Sequence, residues 1–154
     1  MKIILTLIIL ILSIGCATRN IEYDRNKILK KYSSDYNIFV DNQEIDFENI
    51  YLNKYNIAYV KIDNQNKKVN IKQLKTVELI EVKKIYLDNI NKLHEYTDEK
   101  KLELLIVING LPLKDSCFKI DPKAILSLRI LSQNELNNIY GERPFDGGII
   151  ITTK

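Results

Sequence analysis

An α+β fold, a small mixed β-sheet carrying one or two short helices, follows from three features of this sequence. After residue 36 the apolar residues come in short runs rich in Ile and Val, bounded by Asn, Asp or Gly, which is the pattern of strands. Segment 132–140 (SQNELNNIY) instead sets Leu136, Ile139 and Tyr140 on one side behind a Ser132 cap, with Glu135 three residues on, the pattern of a short helix. The 154 residues, 45% hydrophobic and 28% charged, suffice for one domain or two small ones and exclude a disordered chain.

Charge and cysteine usage narrow the function classes. A net charge of +3, from 23 basic and 20 acidic side chains, gives no dominant basic region, so no nucleic-acid partner is expected. Two cysteines and one histidine exclude a Cys/His metal cluster within one chain and a disulfide scaffold. No cofactor is expected.

The first element is a leader. In MKIILTLIILILSIGC a positive Lys2 precedes an apolar run, and small residues lead to Cys16, the layout of a secretory signal over residues 1–15. The run Ile3–Ile14 is shorter than the roughly 20 helical residues that cross a ~30 Å hydrocarbon layer. The ending SIGC resembles the lipobox of bacterial lipoproteins, with Gly15 and Cys16 in place and Ser13 and Ile14 departing from the commoner residues. That resemblance implies cleavage before Cys16, lipid attachment at Cys16 and a Gram-negative envelope. Ala17 is similar to residues that permit outer-membrane sorting. The protein would then face the periplasm, with the membrane as partner through its anchor. The other reading is an ordinary signal peptide with Cys16 incidental. Cys117, between Leu113 and Phe118, reads as a buried small hydrophobe, with a reactive thiol as the alternative.

Polar residues 16–35 read as a tether leading into a short helix, with Ile21, Ile28, Leu29 and Tyr32 at loose helical spacing. Strands follow at YNIFV, IAYVKI, VNI and VELIEV, in a strand-rich unit spanning 36–95. A further helix is expected near 84–95, with the single His94 solvated at its end. The last strands, LELLIVI, ILSLRIL and GIIITT, belong to a unit over 98–154.

A displacement of 68 residues lays 38–62 over 106–130 without a gap. Apolar positions coincide at Ile38/Ile106, Val40/Ile108, Ile45/Leu113, Ile50/Phe118, Leu52/Ile120, Ile57/Ile125, Val60/Leu128 and Ile62/Ile130, and Asn53 falls on Asp121. Three of the twenty-five pairs are identical, so either a duplication or two strand–turn–strand units with one period accounts for the match.

In the C-terminal unit LLIVINGLPL makes a strand, a tight Asn109-Gly110 turn and a second extended stretch. Asp121 then caps a helical turn begun by Pro122. Gly141 ends the helix 132–140, and ERPFDGG leads into the closing strand. This ordered series resembles the plug domain of TonB-dependent outer-membrane receptors, on Gly110, Asp121, Pro122, Tyr140, Gly141, Gly147 and Thr152 among others. Phe145, Asp146 and Gly148 depart from that family's pattern. The resemblance covers about 50 residues and implies a plug-like strand–helix–strand unit, free-standing because no barrel strands follow Lys154. Gly141, Gly147 and Gly148 read as turn and helix-end glycines, Tyr140 as a packing residue, and Arg143 as a candidate contact in the loop. The expected role is non-catalytic, an interaction or accessory module of envelope transport with an envelope protein as partner. The rivals are a small-ligand-binding periplasmic lipoprotein, a degenerate receptor remnant and, with no nucleophile–base pair to support it, an enzyme.

Overall fold

β-Branched runs pair into three small mixed sheets, giving an α+β fold with three short helices among the described residues. A computed structural model describes residues 18–90, 103–113, 117–142 and 144–154. The chain divides into two units, one reaching to Asp46 and including Ile57–Leu74, the other made of Phe47–Asn56 and Lys75–Lys154. Segment 47–56 therefore belongs with the C-terminal residues, and the division is not the single cut between 36–95 and 98–154 expected from the sequence.

In the N-terminal unit β1 (Thr18–Ile21), β2 (Asn37–Val40), β3 (Gln43–Glu44), β5 (Ile57–Asp63) and β6 (Lys68–Gln73) form one sheet in the order β1-β5-β6-β2-β3. Helix α1 (Arg25–Tyr32) starts where Asp24 accepts the Lys27 N–H at 3.0 Å, and it buries Ile28 and Tyr32, one turn apart. With Ile38, Val60, Ile62, Val69 and Ile71 these make the buried set of the unit. Burying each such side chain contributes ~1.5–3 kcal/mol. The short helix expected after the tether is present as α1, and the tether itself is corrected at 18–21. Thr18–Ile21 pairs antiparallel with β5, and Arg19 donates from Nη2 to the Tyr32 hydroxyl at 2.7 Å. As an edge strand, TRNI needs no apolar face, which is why it reads as polar linker.

The C-terminal unit holds a four-stranded sheet of β8 (Leu104–Ile108), β9 (Leu111–Leu113), β11 (Ile125–Ser132) and β12 (Gly147–Thr153), in the order β11-β12-β8-β9. A second sheet sets β10 (Lys119–Ile120) between β4 (Ile50–Tyr51), parallel to it, and β7 (Ile80–Glu81), antiparallel. Helix α2 (Val82–Ile90) supplies Val82 and Tyr86 to a core with Leu104, Ile106, Ile108, Phe118, Ile120, Ile149 and Ile151. VELIEV is thus a strand only at Ile80–Glu81, and the helix expected over 84–95 begins already at Val82; its end and His94 lie outside the described residues. Helix α3 (Gln133–Tyr140) carries the full capping box, since Ser132 Oγ accepts the Glu135 N–H while the Glu135 carboxylate accepts the Ser132 N–H. Only Leu136 of its expected apolar side is buried; Ile139 and Tyr140 are exposed. Strand–helix–strand order holds, but β11 and β12 run antiparallel as direct neighbours, and β12 is parallel to β8.

The two sheets share their internal plan residue for residue. Ile38 pairs with Val69 as Ile106 pairs with Ile149, and Val60 with Ile71 as Leu128 with Ile151. The bulge between Ile57 and Tyr59 recurs between Ile125 and Ser127. Asp41 and Asn42, at φ 48° and 70°, match Asn109 and Gly110, at 51° and 81°. Asn53 accepts the Tyr55 N–H as Asp121 accepts that of Lys123. The displacement of 68 residues therefore marks a repeated strand order, register, turn and bulge. The chief differences are two. Helix α3 in the C-terminal sheet replaces the short turn after β5, and β1 covers an edge whose counterpart, β11, no strand covers among the described residues.

Candidate interaction surface

Of the residues that carry the resemblance, Gly147 and Thr152 lie in β12, while Gly110, Asp121, Pro122, Tyr140 and Gly141 sit in the turns and helix that join the strands. Asn109 and Gly110 both hold positive φ in the tight β8–β9 turn, where a Gly at the second position carries no Cβ penalty. Asp121 is fully buried, its Oδ1 accepting the Lys123 N–H at 2.8 Å, with Pro122 at the first helical position as read from the sequence. Gly141 closes α3 at φ 77°, its N–H donating to the Asn137 carbonyl. Thr152 sits in β12 opposite Ser127. Cys16 and Arg143 lie outside the described residues.

Two sequence readings are corrected. Gly147 and Gly148 are not turn glycines but the first two residues of β12. A Cβ at Gly147 would run into the Tyr86 ring of α2, and one at Gly148 would meet Leu136 of α3 at 2.8 Å, so small size is what each position requires. Cys117 is exposed, because the extended chain that follows turns Phe118 and Ile120 inward and leaves the residue before them outside.

A network the sequence did not announce ties the chain end to the turn. Asn109 accepts the Thr153 N–H at 2.9 Å through Oδ1 and donates through Nδ2 to Thr153 Oγ1 at 2.8 Å, and Thr153 Oγ1 in turn donates to the Tyr51 hydroxyl at 2.8 Å. Its counterpart in the other sheet is Asp41, which accepts the Gln73 N–H at 3.1 Å and pairs with Lys72 at 2.9 Å. The overlay of Asp41 on Asn109 was the available signal.

Strand alternation gives the C-terminal sheet two unlike faces. Ile106, Ile108, Ile149 and Ile151 enter the core with α2, while Leu105, Val107 and Ile150 point the other way. Helix α3 lies on that second face, where Leu136 comes against Gly148. Beyond it lies a groove of about 260 Å³ lined by Leu105, Val107, Gly110, Pro112, Tyr140 and Phe145. Leu111 (63% exposed), Ile139 (49%) and Tyr140 (42%) stand among the exposed large apolar residues of this unit. Tyr140 is thus a groove residue and not simply a packing one. On the N-terminal unit a polar hollow of about 410 Å³ is lined by Thr18, Arg19, Asn20, Tyr59 and Lys61.

Two carboxylates are held below their ordinary range. Glu135 is lowered first by the Ser132 backbone N–H, then by the Ser132 hydroxyl, with Arg129 adding its charge. Asp63 is lowered by the side chain and then the backbone N–H of Asn66 in the β5–β6 turn. Both serve as local caps. Among the described residues no three His, Cys, Asp or Glu side chains are grouped to hold a metal, and no helix is long and apolar enough to cross a membrane. No family model, curated protein or solved structure matches this chain.

Proposed function

We propose that this protein is a lipid-anchored, non-catalytic interaction module of the bacterial envelope, in which the C-terminal, plug-like unit docks a protein partner. The anchor reading rests on SIGC and the apolar leader before it. Several acyl chains on Cys16, at ~0.8 kcal/mol per buried methylene, would make the attachment durable and raise the local concentration of the unit for membrane partners. The observation that supports docking is the half-open second face of the C-terminal sheet. It carries Leu105, Val107 and Ile150, has an apolar groove beside α3, and is rimmed by exposed Leu111 and Tyr140. Val107 is 8% exposed and Leu105 and Ile150 are half-buried, so the apolar contact surface is the rim of Leu111 and Tyr140 around the groove.

Binding of a small ligand is the weaker reading on the same geometry. Ligand sites enclose ~300–1,000 Å³ with several convergent polar groups, whereas the groove is about 260 Å³ and apolar apart from the Tyr140 hydroxyl and backbone. Photo-crosslinking in intact cells from a benzophenone side chain at position 140 tests the docking reading. It predicts one specific envelope protein adduct that Leu111→Asp weakens. Adducts indistinguishable from those of a benzophenone on the far side, at Lys84, would contradict it.

A further inference from the structure

We propose that the outer edge of β11 receives an extended segment of a partner protein as an added antiparallel strand; this rests on the docking reading and adds to the groove a second contact, at the sheet edge opposite β9. The inference comes from the internal repeat. In the N-terminal sheet the equivalent strand, β5, is covered by β1, with Ile21 opposite Val60, Asn20 opposite Lys61 and Arg19 opposite Ile62. Carrying that register onto β11 places an incoming strand against Leu128, Arg129 and Ile130. Among the described residues no strand occupies this place, and β11 has β12 as its sole ladder partner. An eight-residue edge is long for one left open, since unpaired N–H and C=O groups form a template for another strand.

Side chains along the edge state what the segment must look like. Leu128 and Ile130 reach the core with one flank uncovered, as only half-buried residues, so the segment needs apolar side chains facing them. Arg129 is exposed between them on the other face, and its neighbour Glu135 is committed to the α3 cap. An acidic residue facing Arg129 completes the pattern, because oppositely charged cross-strand pairs are favourable and like charges are not. The partner chemistry is therefore an extended apolar–acidic–apolar segment. Self-pairing of β11 is disfavoured where it would set Arg129 against its own copy.

The test uses the full chain in detergent and the capped peptide Ser-Thr-Val-Glu-Ile-Thr-Ser, whose Glu would face Arg129. Saturable binding that perturbs the β11 amides is expected. N-methylation of alternate peptide amides should weaken binding about tenfold or more in one phase and leave it unchanged in the other, because only every second N–H faces the sheet. Arg129→Glu should turn the preference from the Glu peptide to its Lys analogue. Equal effects of the two methylation phases, an unaltered charge preference, or concentration-dependent self-association through β11 would overturn the proposal. A photo-crosslinker at Ser127 separates the two readings in cells. Partner adducts from position 140 with none from 127 would sink the strand-addition proposal alone, and specific adducts from neither would sink docking as well.

Discussion

Replacing Gly147 with Ala is the sharpest probe of how the C-terminal sheet is held. The added methyl would land on the Tyr86 ring, which is 2% exposed, and 3.0 Å from the Leu131 carbonyl oxygen. Neither neighbour is the loose end of an exposed side chain. Overpacking a filled site costs ~1–3 kcal/mol, and the lower backbone entropy of Ala returns roughly 0.5–1. The net loss is about 0–2.5 kcal/mol, or up to ~10 °C in Tm for a chain of this size. Tyr86→Phe removes the atom nearest the added methyl, and removing a buried hydroxyl costs about 1 kcal/mol on its own. Thermal unfolding of the two single variants and the double variant should show the double more stable than additivity predicts, by about 0.5–1.5 kcal/mol. Additive losses would refute the packing of α2 against the start of β12.

Three further outcomes follow from the same geometry. Asp121→Ala should lose about 1–2 kcal/mol of stability in denaturant unfolding through the missing cap, whereas Asp121→Asn should change it little, since Asn53 fills the equivalent place and the buried Oδ2 of Asp121 has no hydrogen-bond partner among the described residues. Ser132→Ala should lower stability by about 0.5–2 kcal/mol, and by NMR the Glu135 carboxyl should then move only part of the way back toward its ordinary range, because the backbone N–H at 132, the larger cause of the lowering, remains. Because the folded form holds Glu135 low, its contribution is complete above the ordinary glutamate range and is lost as pH falls through the depressed value, so the α3 cap should loosen only in acid. Leu111→Asp, at an exposed site, should shift stability by less than about 0.5 kcal/mol while reducing crosslinks from position 140.

Much of this fold can be read from the residues. Runs such as IAYVKI and GIIITT announce strands because β-branched side chains tolerate only a few rotamers and pack well on a pleat. The Ser132–Glu135 box, the Asn109-Gly110 turn and the Asp121-Pro122 cap are local devices, each decided within four residues. The overlay of 38–62 on 106–130 foreshadowed the shared register, and its pairing of Asn53 with Asp121 is realised as two equivalent caps.

What stayed hidden is non-local. β1 looks like linker because its stability comes from the ladder with β5 and not from its own composition. Segment 47–56 carries no mark that β4 pairs with β10, some seventy residues on. Leu111, Ile139 and Tyr140 look like core by type, and only the register, the turn and the end of α3 reveal that they face outward. Gly147 reads as loop because the constraint is the ring of Tyr86, sixty-one positions earlier.

Intact mass and fragmentation of the mature protein from purified envelope test the central claim most directly. The account predicts a chain that begins at Cys16 and carries a thioether-linked diacylglycerol and an amide-linked acyl group there, with the mass returning to unacylated protein in Cys16→Ser. A mature chain that begins elsewhere, or one with an unmodified Cys16, would contradict the claim that this protein works as a membrane-held docking module.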